Sequence, residues 1–171
     1  MVNAPIALKE WGRELLGECR TEHMFMPDNI DYPHGGAFEI YHLSRLLADG
    51  DCPPKFTTDF AQGCYAYGVT YCALQFAAYL GCSTIYLYGI DFYYNRNYGY
   101  FTDNYSETFN KRDQYNTAFD RALAEDMRGY RLAYLSAKQT AEKRGFTIYN
   151  ATRKTWLDVF ERVDFDQLFH N

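Results

Sequence analysis

The residues best suited by type and spacing to do chemistry stand at two strand-like ends. In "IYLYGIDFYY", residues 85–94, an alternating apolar run breaks at Gly89, and a carboxylate, Asp91, follows among aromatic rings. Gly89 lets a backbone or a ligand approach with no Cβ in the way. Asp91 can accept from a ribose hydroxyl, hold a metal ion or act as a general base. It can equally cap the turn or a following helix. The second end, "FTIYNATR" at 146–153, supplies Asn150, Thr152 and Arg153. An amide, a hydroxyl and a permanent cation together suit a phosphate or a carboxylate. Asn150 and Thr152 also read as turn residues, and Arg153 as a surface partner of Asp158 or Glu161. Tyr93, Tyr94, Tyr98, Tyr100 and Tyr105 crowd the stretch after Asp91. Such rings can stack on a base or donate to a leaving-group oxygen.

Other chemistries find little footing. His23, His34, His42 and His170 are scattered without HxxxH or HExxH spacing, so no metal site is assigned. "PHGG" at 33–36 reads as a turn, or as a loop presenting His34. Walker A, GxGxxG and GxSxG patterns are absent, which leaves Ser/His/Asp catalysis without a nucleophile elbow. The pair Glu125/Asp126 has no spacing that marks a glycosidase.

The elements that must position these groups follow from periodicity. "PIALKEWGRELLGECR" has helical spacing at Ile6, Leu8, Trp11, Leu15 and Leu16. "EHMFMP" reads as a short strand stopped at Pro27, and a helix is predicted over about 38–47. Residues 69–80 predict a helix apolar on nearly all sides, with Gly81 at its C-terminal cap. "STIYLYG" follows as a buried strand, and 92–116 as a long Asn/Tyr-rich loop. Residues 117–145 predict one long helix or two, closed by Gly145, before the strand "FTIYNATR". The tail "VFERVDFDQLF" is loop and short helix. An all-apolar helix feeding a buried strand is typical of α/β layering. In such sheets, ligands bind beyond the carboxyl ends of the strands.

With 171 residues, 47% hydrophobic and 23% charged, the chain suits one soluble α/β domain over 1–171, its core at 56–169. A net charge of −5 argues against nucleic acid held on a basic face. No apolar run approaches the ~20 residues that cross a bilayer. The first residues lack the basic-then-apolar order of a secretory signal. Five cysteines (Cys19, Cys52, Cys64, Cys72, Cys82), odd in number and without a CxxC pair, then predict reduced, buried thiols in the cytoplasm. Homo-oligomerisation is left open.

Two segments carry a resemblance. "YGVTYCALQFAAYLGCSTIYLYGIDFYY" with "IYNATRKTWLDVFERVDFDQLF" resembles the C-terminal part of the MptE-like family, named after archaeal 6-hydroxymethylpterin diphosphokinase. The first segment also resembles bacterial sialyltransferases of glycosyltransferase family 42. The likeness spans roughly 56–169 and is weak from about 106 to 130. It implies a Rossmann-like three-layer α/β domain with a mostly parallel sheet that binds a nucleotide donor. In the sialyltransferases the segment matching Gly89–Tyr93 lines the donor site, and tyrosines there and in the next loop help the leaving phosphate depart. Tyr93 matches the first of these, and Tyr98 or Tyr100 the second. Gly68 and Thr70 fall where those enzymes contact the donor through small polar residues. Many MptE-like proteins have a His-Phe pair where Tyr100-Phe101 stands.

Two departures qualify the likeness. The family's N-terminal strand and "GNGPS"-type phosphate loop have no counterpart, so the chain resembles the back half of a longer domain. The sialyltransferase histidine base, expected near 120–130, is also missing, and only Asp120, Glu125, Asp126 or Asp91 remain for that role.

The expectation is therefore a nucleotide-dependent transferase, foremost a sialyltransferase-like glycosyltransferase. Asp91, Tyr93 and Tyr100 would be catalytic; Gly68, Thr70, Gly89, Tyr98, Asn150, Thr152 and Arg153 would bind substrate. Its partners would be a nucleotide-sugar donor and a small-molecule or cell-surface glycan acceptor, with no cofactor. One alternative is an ATP-dependent pyrophosphokinase acting on a pterin-like alcohol, which would need Mg²⁺. Another is a truncated, non-catalytic nucleotide-fold module.

Overall fold

A computed structural model of the chain describes residues 23–27, 39–43, 45–46, 54–60, 63–65, 67–92 and 117–169. The helix expected at the N-terminus and most of the Tyr-rich loop lie outside these residues. The chain divides into two compact units, Met1–Ser83 and Thr84–Asn171. Each mixes strands and helix, and among the described residues every strand pair is parallel, so the fold is mixed α/β.

In the first unit, β1 (His23–Pro27) pairs with β2 (Glu39–Leu43), from His23 opposite Glu39 to Pro27 opposite Leu43. A two-residue β3 (Arg45–Leu46) pairs with β4 (Cys64–Tyr65). The helix predicted over 38–47 is thus replaced by β2 and β3. A short apolar run does not separate helix from strand by period alone, and the aromatic and β-branched residues of "FEIY" favour the pleat.

The first described helix runs from Val69 to Tyr79. Its end at Gly81 follows the expected glycine cap: the Cys82 amide donates to the Ala77 carbonyl and Gly81 to Ala78, with Gly81 at φ +79°. Only one stripe of this helix is buried, Tyr71, Cys72, Leu74 and Gln75, while Val69, Tyr79 and Leu80 are exposed. The near-uniform apolar character of 69–80 therefore does not translate into burial on every side. Phe60, Cys64 and Cys72 form a core cluster with Phe76 packed against it.

In the second unit, β5 (Thr84–Leu87), β6 (Thr147–Asn150) and β7 (Glu161–Arg162) form a sheet in the order β5-β6-β7. One long helix of 28 residues, Thr117–Arg144, lies between β5 and β6 in sequence. Ala133, Ala137 and Ala141 recur every four residues and are buried, so the helix can approach β6 closely. The sheet's buried positions are Leu87, Ile148 and Asn150, while Tyr86 is half exposed and stacks on Tyr149 across the strands at 5.5 Å. The strand expected to be buried is thus covered only on the face of Ile85 and Leu87. Tyr tolerates this because its phenol carries a polar tip.

The helix is also fastened to the loop after β6. Arg131 donates two 3.0 Å bonds to the Asp158 carboxylate. That hydrogen-bonded contact holds Asp158 below its ordinary carboxylate range, so its small contribution to stability is present near neutral pH and lost as the carboxylate protonates in acid. Among the described residues, every buried side-chain N and O has a hydrogen-bond partner.

Candidate functional site

Because β5, β6 and β7 are parallel, the loops that leave them emerge at one sheet edge. The loop after β5 turns at Gly89, φ +73°, and again at Phe92, φ +54°. A Cβ added at Gly89 would meet no atom within 4 Å, so glycine is required here by the backbone rather than by crowding. Gly89→Ala should cost about 1–2 kcal/mol of stability from the left-handed backbone alone. Urea denaturation checks this, and a neutral result would mean the turn relaxes. Phe92 accepts its unfavourable φ while its ring packs edge-on against buried Tyr134, 5.8 Å between centroids.

Backbone and threonine hydrogen bonds join this loop and the end of β5 to the loop after β6. Ala151 N–H donates to Leu87 O at 2.8 Å, Ile90 N–H to Thr152 Oγ1 at 3.0 Å, and Trp156 N–H to Asp91 O at 2.8 Å. Thr155 Oγ1 donates to Ile90 O at 2.6 Å. Both polar groups of Ile90 are therefore held by threonine hydroxyls, and the backbone from Gly89 to Asp91 is pinned. The Asp91 carboxylate, by contrast, is exposed and makes no hydrogen bond or ion pair with a described residue.

Asn150 lies beneath this arrangement, fully buried. Its amide nitrogen donates to Leu157 O at 3.1 Å and reaches Thr155 Oγ1 at 3.5 Å, while its oxygen accepts from Thr152 N–H at 3.1 Å. Thr152, 3% exposed, uses its hydroxyl to hold Ile90. The polar groups of Asn150 and Thr152 that were singled out for a ligand are thus engaged in building the loop.

Arg153 is exposed, and its partner is neither Asp158 nor Glu161. It pairs with Asp166 on a 3-10 turn, Phe165–Gln167, donates to the Tyr88 hydroxyl at 3.2 Å and lies 5.5 Å from the Phe165 ring centre. The Asp166 hydrogen bond raises the guanidinium further above its already high range. Tyr88 packs on Phe165 at 4.2 Å, and Phe165 on exposed Phe169. Arg162 donates to the carbonyls of Thr152 and Arg153, bracing the same loop.

Gly89, Asp91, Asn150, Thr152 and Arg153 are thus gathered at one edge. Gly68 and Thr70 belong to the other unit, where Gly68 caps the helix Val69–Tyr79 at φ 83°. Tyr93, Tyr98 and Tyr100 lie outside the described residues. Asp120, Glu125 and Asp126 fall within the long helix. Sequence reasoning missed Thr155, Tyr88, Trp156 and Asp166. Thr155 had a readable signal, since its hydroxyl also accepts from Leu157 N–H two residues on, a local turn pattern of threonine. Asp164 and Asp166 had another: the Asp164 carboxylate accepts from Asp166 N–H and starts the 3-10 turn. No protein-family profile, curated protein or solved structure matches the chain.

Proposed function

We propose that the chain is a nucleotide-dependent transferase that moves a sugar from a nucleotide-sugar donor to a glycan acceptor, on a Rossmann-like domain. The observation that carries this reading is the exposed Asp91 carboxylate, carried on a backbone pinned by Thr152, Thr155 and Trp156 at the carboxyl edge of parallel strands. A preorganised carboxylate at such an edge suits a hydroxyl of the donor or the proton of an acceptor. Asp91 orients the donor or serves as base. Tyr93 and Tyr100 donate to the leaving phosphate, and Tyr98 contacts the donor. Gly89 leaves open space beside the site. Asn150 and Thr152 hold the loop. Arg153 reaches a phosphate by exchanging Asp166, an exposed pair that is cheap to break.

The test is release of CMP from a CMP-sugar by the full chain. Asp91→Asn should lower turnover by about 100-fold or more. The melting temperature should stay unchanged, because the carboxylate is exposed. Turnover should also persist in chelator. Equal turnover in Asp91→Asn would overturn the assignment. Activity found only with ATP and Mg²⁺ would favour pyrophosphoryl transfer instead, with Asp91 as one ligand among the substrate's phosphate oxygens.

A further inference from the structure

We propose that Cys64 and Cys72 form an oxidisable dithiol, which a two-electron oxidant of the peroxide class joins in a disulfide. The two sulfurs lie 3.3 Å apart, the Cys64 thiol donating to that of Cys72. They come from different elements, β4 and the first turn of the helix Val69–Tyr79, and the core packing of Phe60 and Phe76 brings them together. Closing from 3.3 Å to a bond of about 2.0 Å needs an approach of roughly 1.3 Å. Both side chains are nearly fully buried, at 2% and 3%, which shields them from large or charged reagents and leaves a small neutral peroxide as the suitable oxidant.

The step balances. One sulfur attacks a peroxide oxygen, the O–O bond breaks, and the sulfur becomes a sulfenic acid as one water leaves. The other sulfur then attacks the sulfenic sulfur. The S–S bond forms, and the sulfenic oxygen departs with the second thiol's proton as another water. Two thiols lose two hydrogens, and one hydrogen peroxide is reduced to two waters. Whichever sulfur reacts first, its resolving partner already touches it. The disulfide closes the segment 64–72 and ties β4 to the helix. Gly68 and Thr70 lie inside that loop, so oxidation fixes the helix's N-terminal turn. This inference does not depend on the nucleotide reading.

The experiment treats the reduced full chain with hydrogen peroxide, removes the excess with catalase, and alkylates in denaturant without reductant before peptide mapping. Cys64 and Cys72 should escape alkylation and appear joined, the pair lighter by two hydrogens, with dithiothreitol restoring both thiols. The melting temperature should rise by roughly 5 °C, as closing a short loop in the unfolded chain predicts. The triple variant Cys19→Ser/Cys52→Ser/Cys82→Ser should behave the same. Free or sulfinic Cys64 and Cys72 after oxidation, or linkage of either to another cysteine, would overturn the proposal.

Discussion

Asn150→Ala is expected to lower stability by about 3 kcal/mol, although the residue sits at the end of a strand of only four residues. The amide is fully buried, and removing it orphans two backbone groups, the Leu157 carbonyl and the Thr152 N–H. It also strips the loop that carries Thr152 and Thr155, whose hydroxyls hold Ile90. The loss should therefore spread to the Asp91 turn. Trp156 fluorescence in a Trp11→Phe background reports this unit, because the Trp156 N–H is bonded to Asp91 O. The urea midpoint should fall with the slope unchanged. Asn150→Asp should fare no better, since a carboxylate would face the Leu157 carbonyl with no proton to donate. A loss below about 1 kcal/mol would mean that water replaces the amide and the loop does not depend on it.

Gln75→Leu should cost still more, about 4 kcal/mol, despite its similar volume. Gln75 is completely buried in the first unit. Its oxygen accepts from Thr57 N–H at 3.2 Å and Tyr65 N–H at 3.1 Å, and its nitrogen donates to Tyr65 O at 2.9 Å and Tyr71 O at 3.1 Å. The side chain thus plays the part of a neighbouring strand for Tyr65, satisfying both its backbone groups. Leucine would fill the space and leave the Thr57 and Tyr65 N–H groups without the amide oxygen they donate to, and Tyr65 O and Tyr71 O without the amide donor. Gln75→Glu, which keeps the acceptor and loses the donors, should fall between the two. Circular dichroism in urea separates these cases, and an undiminished Gln75→Leu midpoint would refute the account of this core.

How much of this was legible in the sequence varies with the range of the interaction. The helices at 69–79 and 117–144, the glycines after each, and the strands around "TIYL" and "TIYN" follow from local periodicity and from glycine's access to positive φ. The strand at 39–43 was not legible, because its partner His23–Pro27 decides it and lies twelve or more residues away. Gln75 sits in an apolar helix and gives no local hint that it completes Tyr65's pairing. At the candidate site, Asn150 and Thr152 could be flagged by type, but their engagement with Leu157 and Ile90 depends on the folded loop. Arg153 was weighed against near neighbours in sequence. Its actual partner is thirteen residues on, and only the 3-10 turn started by Asp164 presents it.

The central claim, that the edge bearing Asp91 takes a nucleotide, is tested most directly by thermal shift. The panel is CMP, CDP, UDP, GDP, AMP and ATP, each with and without Mg²⁺, on the full chain and on Asp91→Ala. A ligand that binds only the folded state raises the melting temperature with its saturation. The account predicts a metal-independent rise with CMP in the parent chain and none in Asp91→Ala. No rise with any nucleotide, or an equal rise in both proteins, would contradict it.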